Sequence, residues 1–135
     1  MDDYIKEVTK NAERAEHFFA DYLAYTLGPV ELKEKIKIKE KLHEEGELVI
    51  LDVRRHDDYK KGHIEGAVSI PKEELEDRMN ELSRNNLHIV YCYNAFCHLG
   101  ARACLFLARN GFEAMELCGG YDTWANDFKF PVVTD

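Results

Sequence analysis

The sequence predicts an α/β domain built on a mainly parallel sheet of about five strands with helices on both faces, plus an extra amphipathic helix at the N-terminus. Three observations carry this. Short strand-like runs alternate with stretches of helical spacing. Chemistry-bearing residues directly follow those runs: Asp52 after Leu48–Leu51, Cys92 after Leu87–Tyr91, Cys118 after Glu113–Leu117. At 135 residues the chain is long enough for one domain with an ordinary core.

Residues 3–27 read as a helix. Ile5, Val8, Ala12, Ala15, Phe19 and Tyr22 fall at three- and four-residue spacing, Phe18 and Tyr25 widen the face, and Gly28-Pro29 ends it. So wide a stripe has to bury, either against the domain's own helices or against a second copy of the chain. Residues 30–46 fit neither period cleanly. They read as a short strand within 30–36, then a helix to about 45 closed by Gly46. Leu48–Leu51 is a buried parallel strand. Arg54–Asp58 is a polar turn, and Val68-Ser69-Ile70 a short strand stopped by Pro71. Residues 72–84 read as a helix with Leu75, Met79 and Leu82 on one side. Leu87–Tyr91 is the next buried strand, residues 98–110 a helix closed by Gly111, and Glu113–Leu117 the final strand. Gly119-Gly120 leads into a short helix near Trp124, with Tyr121 and Trp124 as core and cap residues.

A net charge of −8 argues against nucleic acid or an anionic membrane surface as the main partner. No apolar run approaches ~18 residues, so no membrane span is expected. The acidic start Met1-Asp2-Asp3-Tyr4 lacks the basic and apolar regions of a secretory signal. The four cysteines, Cys92, Cys97, Cys104 and Cys118, do not form a disulfide framework, and a reducing cytoplasm is the expected compartment.

The most informative segment is Cys92-Tyr93-Asn94-Ala95-Phe96-Cys97-His98, a loop between a strand and a helix. It places a thiol at the positive end of a helix dipole, among amides with no partner inside the helix. Such a thiol is expected to ionise easily, and the thiolate is the nucleophile. The loop holds no lysine or arginine, so an anion bound there depends on backbone amides.

Leu51-Asp52-Val53-Arg54 with Tyr59-Lys60-Lys61-Gly62-His63-Ile64-Glu65-Gly66-Ala67-Val68-Ser69-Ile70-Pro71 closely resembles the N-terminal signature of rhodanese-like domains. Val90-Tyr91-Cys92 resembles the strand that delivers that family's sulfur-carrying cysteine. Gly111-Phe112 and Gly119-Gly120-Tyr121-Asp122-Thr123-Trp124 resemble its C-terminal signature. The match runs over roughly residues 36–131 in order, giving a helical extension (residues 1–29) and a rhodanese-like domain (residues 30–135).

The resemblance implies a sulfurtransferase. Cys92 takes the outer sulfur of a donor such as thiosulfate, a polysulfide or a persulfide. It holds that sulfur as a persulfide and passes it to a thiol, cyanide or protein acceptor, without a cofactor. The loop residues Tyr93 to His98 surround that sulfur. The family pattern gives Asp52, Arg54 and His63 a supporting role, fixing the turn after their strand through charge-assisted hydrogen bonds. Many active members have a glycine and an arginine in the loop, where this chain has Ala95 and Cys97. Thiosulfate is a dianion, so a loop without a fixed cation is expected to bind it less well.

Cys97 also opens an alternative, a redox protein cycling a Cys92–Cys97 disulfide. A third reading is a non-catalytic binding module acting through residues 1–29. Zinc on Cys92, Cys97, His98 and Cys118 is disfavoured because a second close ligand pair is missing. Cys104 and Cys118 read as packing residues. His17, His43, His56 and His88 show no partnering pattern and read as solvent-facing or incidental.

Overall fold

The computed structural model describes residues 5–7, 10–41 and 48–135. The chain runs α1 (Ala12–Tyr25), β1 (Thr26–Leu27), α2 (Pro29–Lys41), β2 (Leu48–Asp52), α3 (His56–Lys61), β3 (His63–Ile64) and β4 (Val68–Ser69). It continues with β5 (Leu87–Tyr91), α4 (Leu99–Arg109), β6 (Glu113–Leu117), α5 (Gly120–Asp122) and β7 (Val132–Val133). A π-turn, Thr123–Asp127, prolongs α5. Five strands form one parallel sheet in the order β1-β6-β5-β2-β4, and β3 pairs antiparallel with β7.

The two-residue period of the central strands builds a core on each face of the sheet. Ile50, Ile89 and Tyr91 face one way, and pack with Leu27, Leu32 of α2, and Trp124. Leu51, Val90 and Cys92 face the other, and pack with Ala103 and Leu107 of α4 and with Leu75. The expected α/β architecture, with helices on both faces, is therefore what forms.

Four details differ from the sequence reading. The N-terminal helix stops at Tyr25, because Thr26 and Leu27 turn extended and pair with Glu116 and Leu117 on the sheet edge. No strand occupies 30–36. Pro29 starts α2, where its missing N–H costs nothing, and the Gly28 N–H donates to Glu31 Oε1. Leu32 then lies buried and Ile36 packs beside it, four residues on. The expected end of that helix at Gly46 falls outside the described residues. The polar turn after β2 contains a short helix, α3. Residues 72–84 form two separate 3-10 turns, Lys72–Glu74 and Met79–Glu81, rather than a helix. Leu75 is fully buried there while Met79 and Leu82 are only partly so, too little packing to sustain several helical turns.

The apolar face of α1 is left largely exposed. None of its residues is buried, and Phe18, Phe19, Tyr22, Leu23 and Tyr25 are exposed. His88 is also not solvent-facing. It lies in β5 at 0% exposure, with Nδ1 on the Glu113 carbonyl oxygen at 2.9 Å and its ring edge-on to Phe112. No described helix is long and apolar enough to cross a membrane.

Candidate active site

Three strand ends bring the candidate residues to one edge of the sheet, where ligands of parallel α/β sheets bind. Asp52 ends β2, Cys92 follows β5, and Cys118 follows β6. They do not do the same thing there.

Asp52 and Arg54 form a buried pair. The Arg54 guanidinium donates to both carboxylate oxygens, the shorter contact being Nη2 to Oδ2 at 2.7 Å, and the Arg54 N–H donates to Oδ1 at 2.9 Å. Arg54 Nη2 also reaches the Gly62 carbonyl at 2.7 Å. His63 is buried, stacked on Tyr59 with centroids 3.6 Å apart, and its Nδ1 meets the Tyr59 carbonyl. These contacts brace the turn between β2 and β4. None of the three residues lines the cavity at Cys92.

Cys92 is 3% exposed, at the foot of the loop. Its thiol donates to the Cys97 carbonyl oxygen at 3.4 Å. Asn94 shapes the loop: its Oδ1 accepts the Phe96 N–H at 3.0 Å and its carbonyl accepts the Cys97 N–H. Ala95 and His98 are exposed, and Phe96 projects from the tip at 93% exposure. The Tyr93 hydroxyl is tied down, donating to Asp58 Oδ2 at 2.5 Å and accepting the Arg55 N–H. The back of the loop is pinned by α5. The Tyr121 N–H donates to the Cys92 carbonyl at 2.8 Å, and that of Asp122 to the Tyr93 carbonyl at 2.9 Å.

The expectation of an acidic Cys92 is overturned. Burial first, and the Cys97 side chain second, push the Cys92 thiol up to about 11, against the lowering effect of the Gly100 amide. At Cys97 burial also opposes ionisation. The Leu99 amide, the Cys92 thiol and the Tyr93 amide outweigh it, and the Cys97 pKa lies below the ordinary thiol value. Of the two thiols, Cys97 holds its proton less tightly. A cavity of about 420 Å³ opens above the pair, lined also by Cys118, His98, Tyr22 and Glu116, with no lysine or arginine among the described residues that line it. Burial of its side chain pushes the thiol of Cys104, within α4, up to about 12.

The family of rhodanese-like domains matches residues 35–127. The chain belongs to that family. Among curated relatives, an HTH-type transcriptional regulator, Rv0324 of Mycobacterium tuberculosis, is 38% identical over 60% of this chain and 36% of its own length. The thiosulfate sulfurtransferase GlpE of Coxiella burnetii is 30% identical over 58% of this chain and 72% of its own length. The chain spans between 36% and 63% of the length of the first three curated relatives it matches. The crystal structure of BH2092 from Bacillus halodurans superposes with a TM-score of 0.77 at 30% identity, covering 92% of this chain and 87% of that one. That likeness reaches into segments outside residues 35–127.

The rhodanese-like signatures explain the Asp52–Arg54 turn and Gly119-Gly120, but not every residue at the site. Gly120 has a φ of +61°, and a β-carbon there would lie 2.6 Å from the Cys92 carbonyl oxygen and 2.9 Å from the Asn94 nitrogen. Only glycine lets α5 approach the loop so closely. Sequence reasoning missed three others. Tyr91 donates to Asp52. Tyr22 lines the cavity with its hydroxyl 3.6 Å from Cys118 Sγ. Glu116 brings a half-buried carboxylate to the same cavity. Its one signal was a charge inside a strand, between Met115 and Leu117.

Proposed function

We propose that this chain is a sulfurtransferase that carries sulfane sulfur as a persulfide on Cys92. The observation that carries the reading is the placement of Cys92. It sits at the carboxyl edge of the sheet, under a six-residue loop and against the Gly100 amide, and it opens into a cavity. The Cys92 sulfur attacks the outer sulfur of a donor, which is thiosulfate, a polysulfide or a persulfide. The new Sγ–S bond forms as the donor's sulfur–sulfur bond breaks, and its electron pair leaves with sulfite or a thiolate. That leaving group takes the proton given up by Cys92. Attack on the persulfide by a thiol, cyanide or a protein acceptor then restores Cys92, and this two-step transfer predicts ping-pong kinetics. The amides of Gly100 and of the loop offer hydrogen bonds to the anionic outer sulfur without a metal. The name of GlpE supports this chemistry, and four free thiols fit a reducing cytoplasm.

Intact-protein mass spectrometry tests the reading. Reduced protein is incubated with thiosulfate or polysulfide and then with cyanide. The expected result is a gain of one sulfur atom that requires Cys92 and is removed by cyanide. No gain in the wild type, or an equal gain in Cys92→Ser, overturns it.

The contact between Cys92 and Cys97 favours a second reading, in which the Cys97 sulfur attacks Cys92 Sγ of the persulfide, the Sγ–S bond breaks, hydrogen sulfide leaves with the protons, and a Cys92–Cys97 disulfide remains. A loss of two hydrogens in the same experiment supports it. The exposed aromatic stripe of α1 supports a homodimer formed through that helix.

A further inference from the structure

We infer that Glu116 sets the choice of sulfur donor, by keeping a carboxylate in the cavity that Cys92 lines, so that persulfides of low charge are taken in preference to the thiosulfate dianion. The inference rests on the reading of Cys92 as a sulfur carrier.

The placement of Glu116 follows from the sheet. β6 runs beside β5 with Glu116 opposite Val90. Two residues earlier, Ala114 packs into the core under α4, and the two-residue period turns Glu116 to the same face. That face carries Cys92. Gly100, in the first turn of α4, lies near both groups. A β-carbon there would lie 2.8 Å from Glu116 Oε2 and 3.4 Å from Cys92 Sγ. A larger residue at position 100 would force the Glu116 carboxylate to shift.

The carboxylate makes no hydrogen bond or ion pair with any described residue. Burial raises its pKa, and His98 alone acts to lower it. Its negative charge opposes ionisation of Tyr22 from α1, Cys92 after β5, Cys97 in the loop, and Cys104 in α4. Desolvating a carboxylate without a partner is costly, and among the described residues lining the cavity no lysine or arginine offsets it.

The donors differ in the charge they bring. An uncharged hydropersulfide R–S–SH reacts with the Cys92 thiol to give Cys92–S–SH and R–SH. The Sγ–S bond forms, the donor S–S bond breaks, and the Cys92 proton leaves on R–SH. No net charge enters the cavity. Thiosulfate reacts with the same thiol to give an anionic Cys92 persulfide and bisulfite, which takes the proton. That path brings two negative charges to the carboxylate at short range and low dielectric, where repulsion is strong.

The test compares wild type, Glu116→Gln and Glu116→Asp with two donors, thiosulfate and 2-hydroxyethyl hydropersulfide. The rate constant for sulfur addition to Cys92 is read by quenched mass spectrometry, with thermal unfolding as the check on folding. In Glu116→Gln the ratio of the two rate constants is expected to move toward thiosulfate by roughly tenfold. In Glu116→Asp, which keeps the charge, it stays close to wild type. Sulfur addition with an unchanged ratio in Glu116→Gln overturns the role of Glu116 and leaves the carrier chemistry standing. A ratio that moves equally in both variants assigns the effect to packing and also overturns it. No addition from either donor to any of the three proteins overturns the carrier reading and this inference together.

Discussion

The Tyr91 hydroxyl donates to Asp52 Oδ2 at 2.6 Å, and accepts the Ile64 N–H at 3.2 Å. It thereby ties the strand that leads into Cys92 to the buried Asp52–Arg54 pair and to the chain beyond the turn. Burial, and then the Asp52 charge, hold the Tyr91 pKa far above the ordinary phenol value, so the group stays a donor.

Tyr91→Phe removes that donor and leaves the Ile64 N–H without its acceptor. Arg54 still holds Asp52, so the pair survives. The expected loss is about 1–3 kcal/mol of stability, the cost of leaving buried polar groups unmade. Urea unfolding of the reduced protein at neutral pH measures it, and a variant as stable as wild type would contradict this account of the turn.

Gly120→Ala attacks the other side of the loop. It puts a side chain at φ +61°, against the Cys92 carbonyl. Strain of about 1–3 kcal/mol is expected from the backbone alone. α5 has to back away, and the N–H groups of Tyr121 and Asp122 lose the Cys92 and Tyr93 carbonyls. The expected outcome is a lower Tm together with slower sulfur loading. Faster amide exchange at Tyr121 and Asp122 would locate the cause.

Much of this fold is legible in the sequence where packing and period agree. Leu87–Tyr91 and Glu113–Leu117 form strands over the residues expected, because each is a short run bounded by turn residues. Where they disagree, tertiary contact decides. Thr26 and Leu27 continue a helical spacing but are taken by the sheet edge. Residues 72–84 have helical spacing but bury too little. At the site, the loop and its strand were readable from residue order. The acidity of Cys92 was not, because it depends on burial and on which way Cys97 turns. Nor was the place of Glu116 in the cavity, which comes from a register across the sheet and the absence of a side chain at Gly100.

The proposed dimer gives a simple prediction. α1 buries none of its residues, so Phe18→Ser with Leu23→Ser should leave the domain folded. Both side chains are more than half exposed. If the stripe is the contact between copies, sedimentation equilibrium will show wild type associating and the double variant sedimenting as a monomer at the same concentration. Monomeric wild type at high protein concentration removes the proposal.

The thiol pair predicts a particular pH dependence. Cys92 is pushed up to about 11, so its thiolate fraction is small at neutral pH and grows as pH rises toward that value. Alkylation by iodoacetamide at Cys92 should therefore keep rising through the alkaline range. At neutral pH the reagent should mark Cys97 first, since that thiol is partly exposed and its pKa is lowered. The Cys97 side chain is the second cause of the raised value at Cys92, so Cys97→Ser should move the Cys92 profile to lower pH. The sign follows from the direction of the shift: removing a group that disfavours the thiolate raises its population at every pH below the old midpoint. Peptide mapping of both proteins after timed alkylation reads the two profiles separately. A Cys92 profile that stays in place in Cys97→Ser would show that Cys97 does not act on the acidity of Cys92.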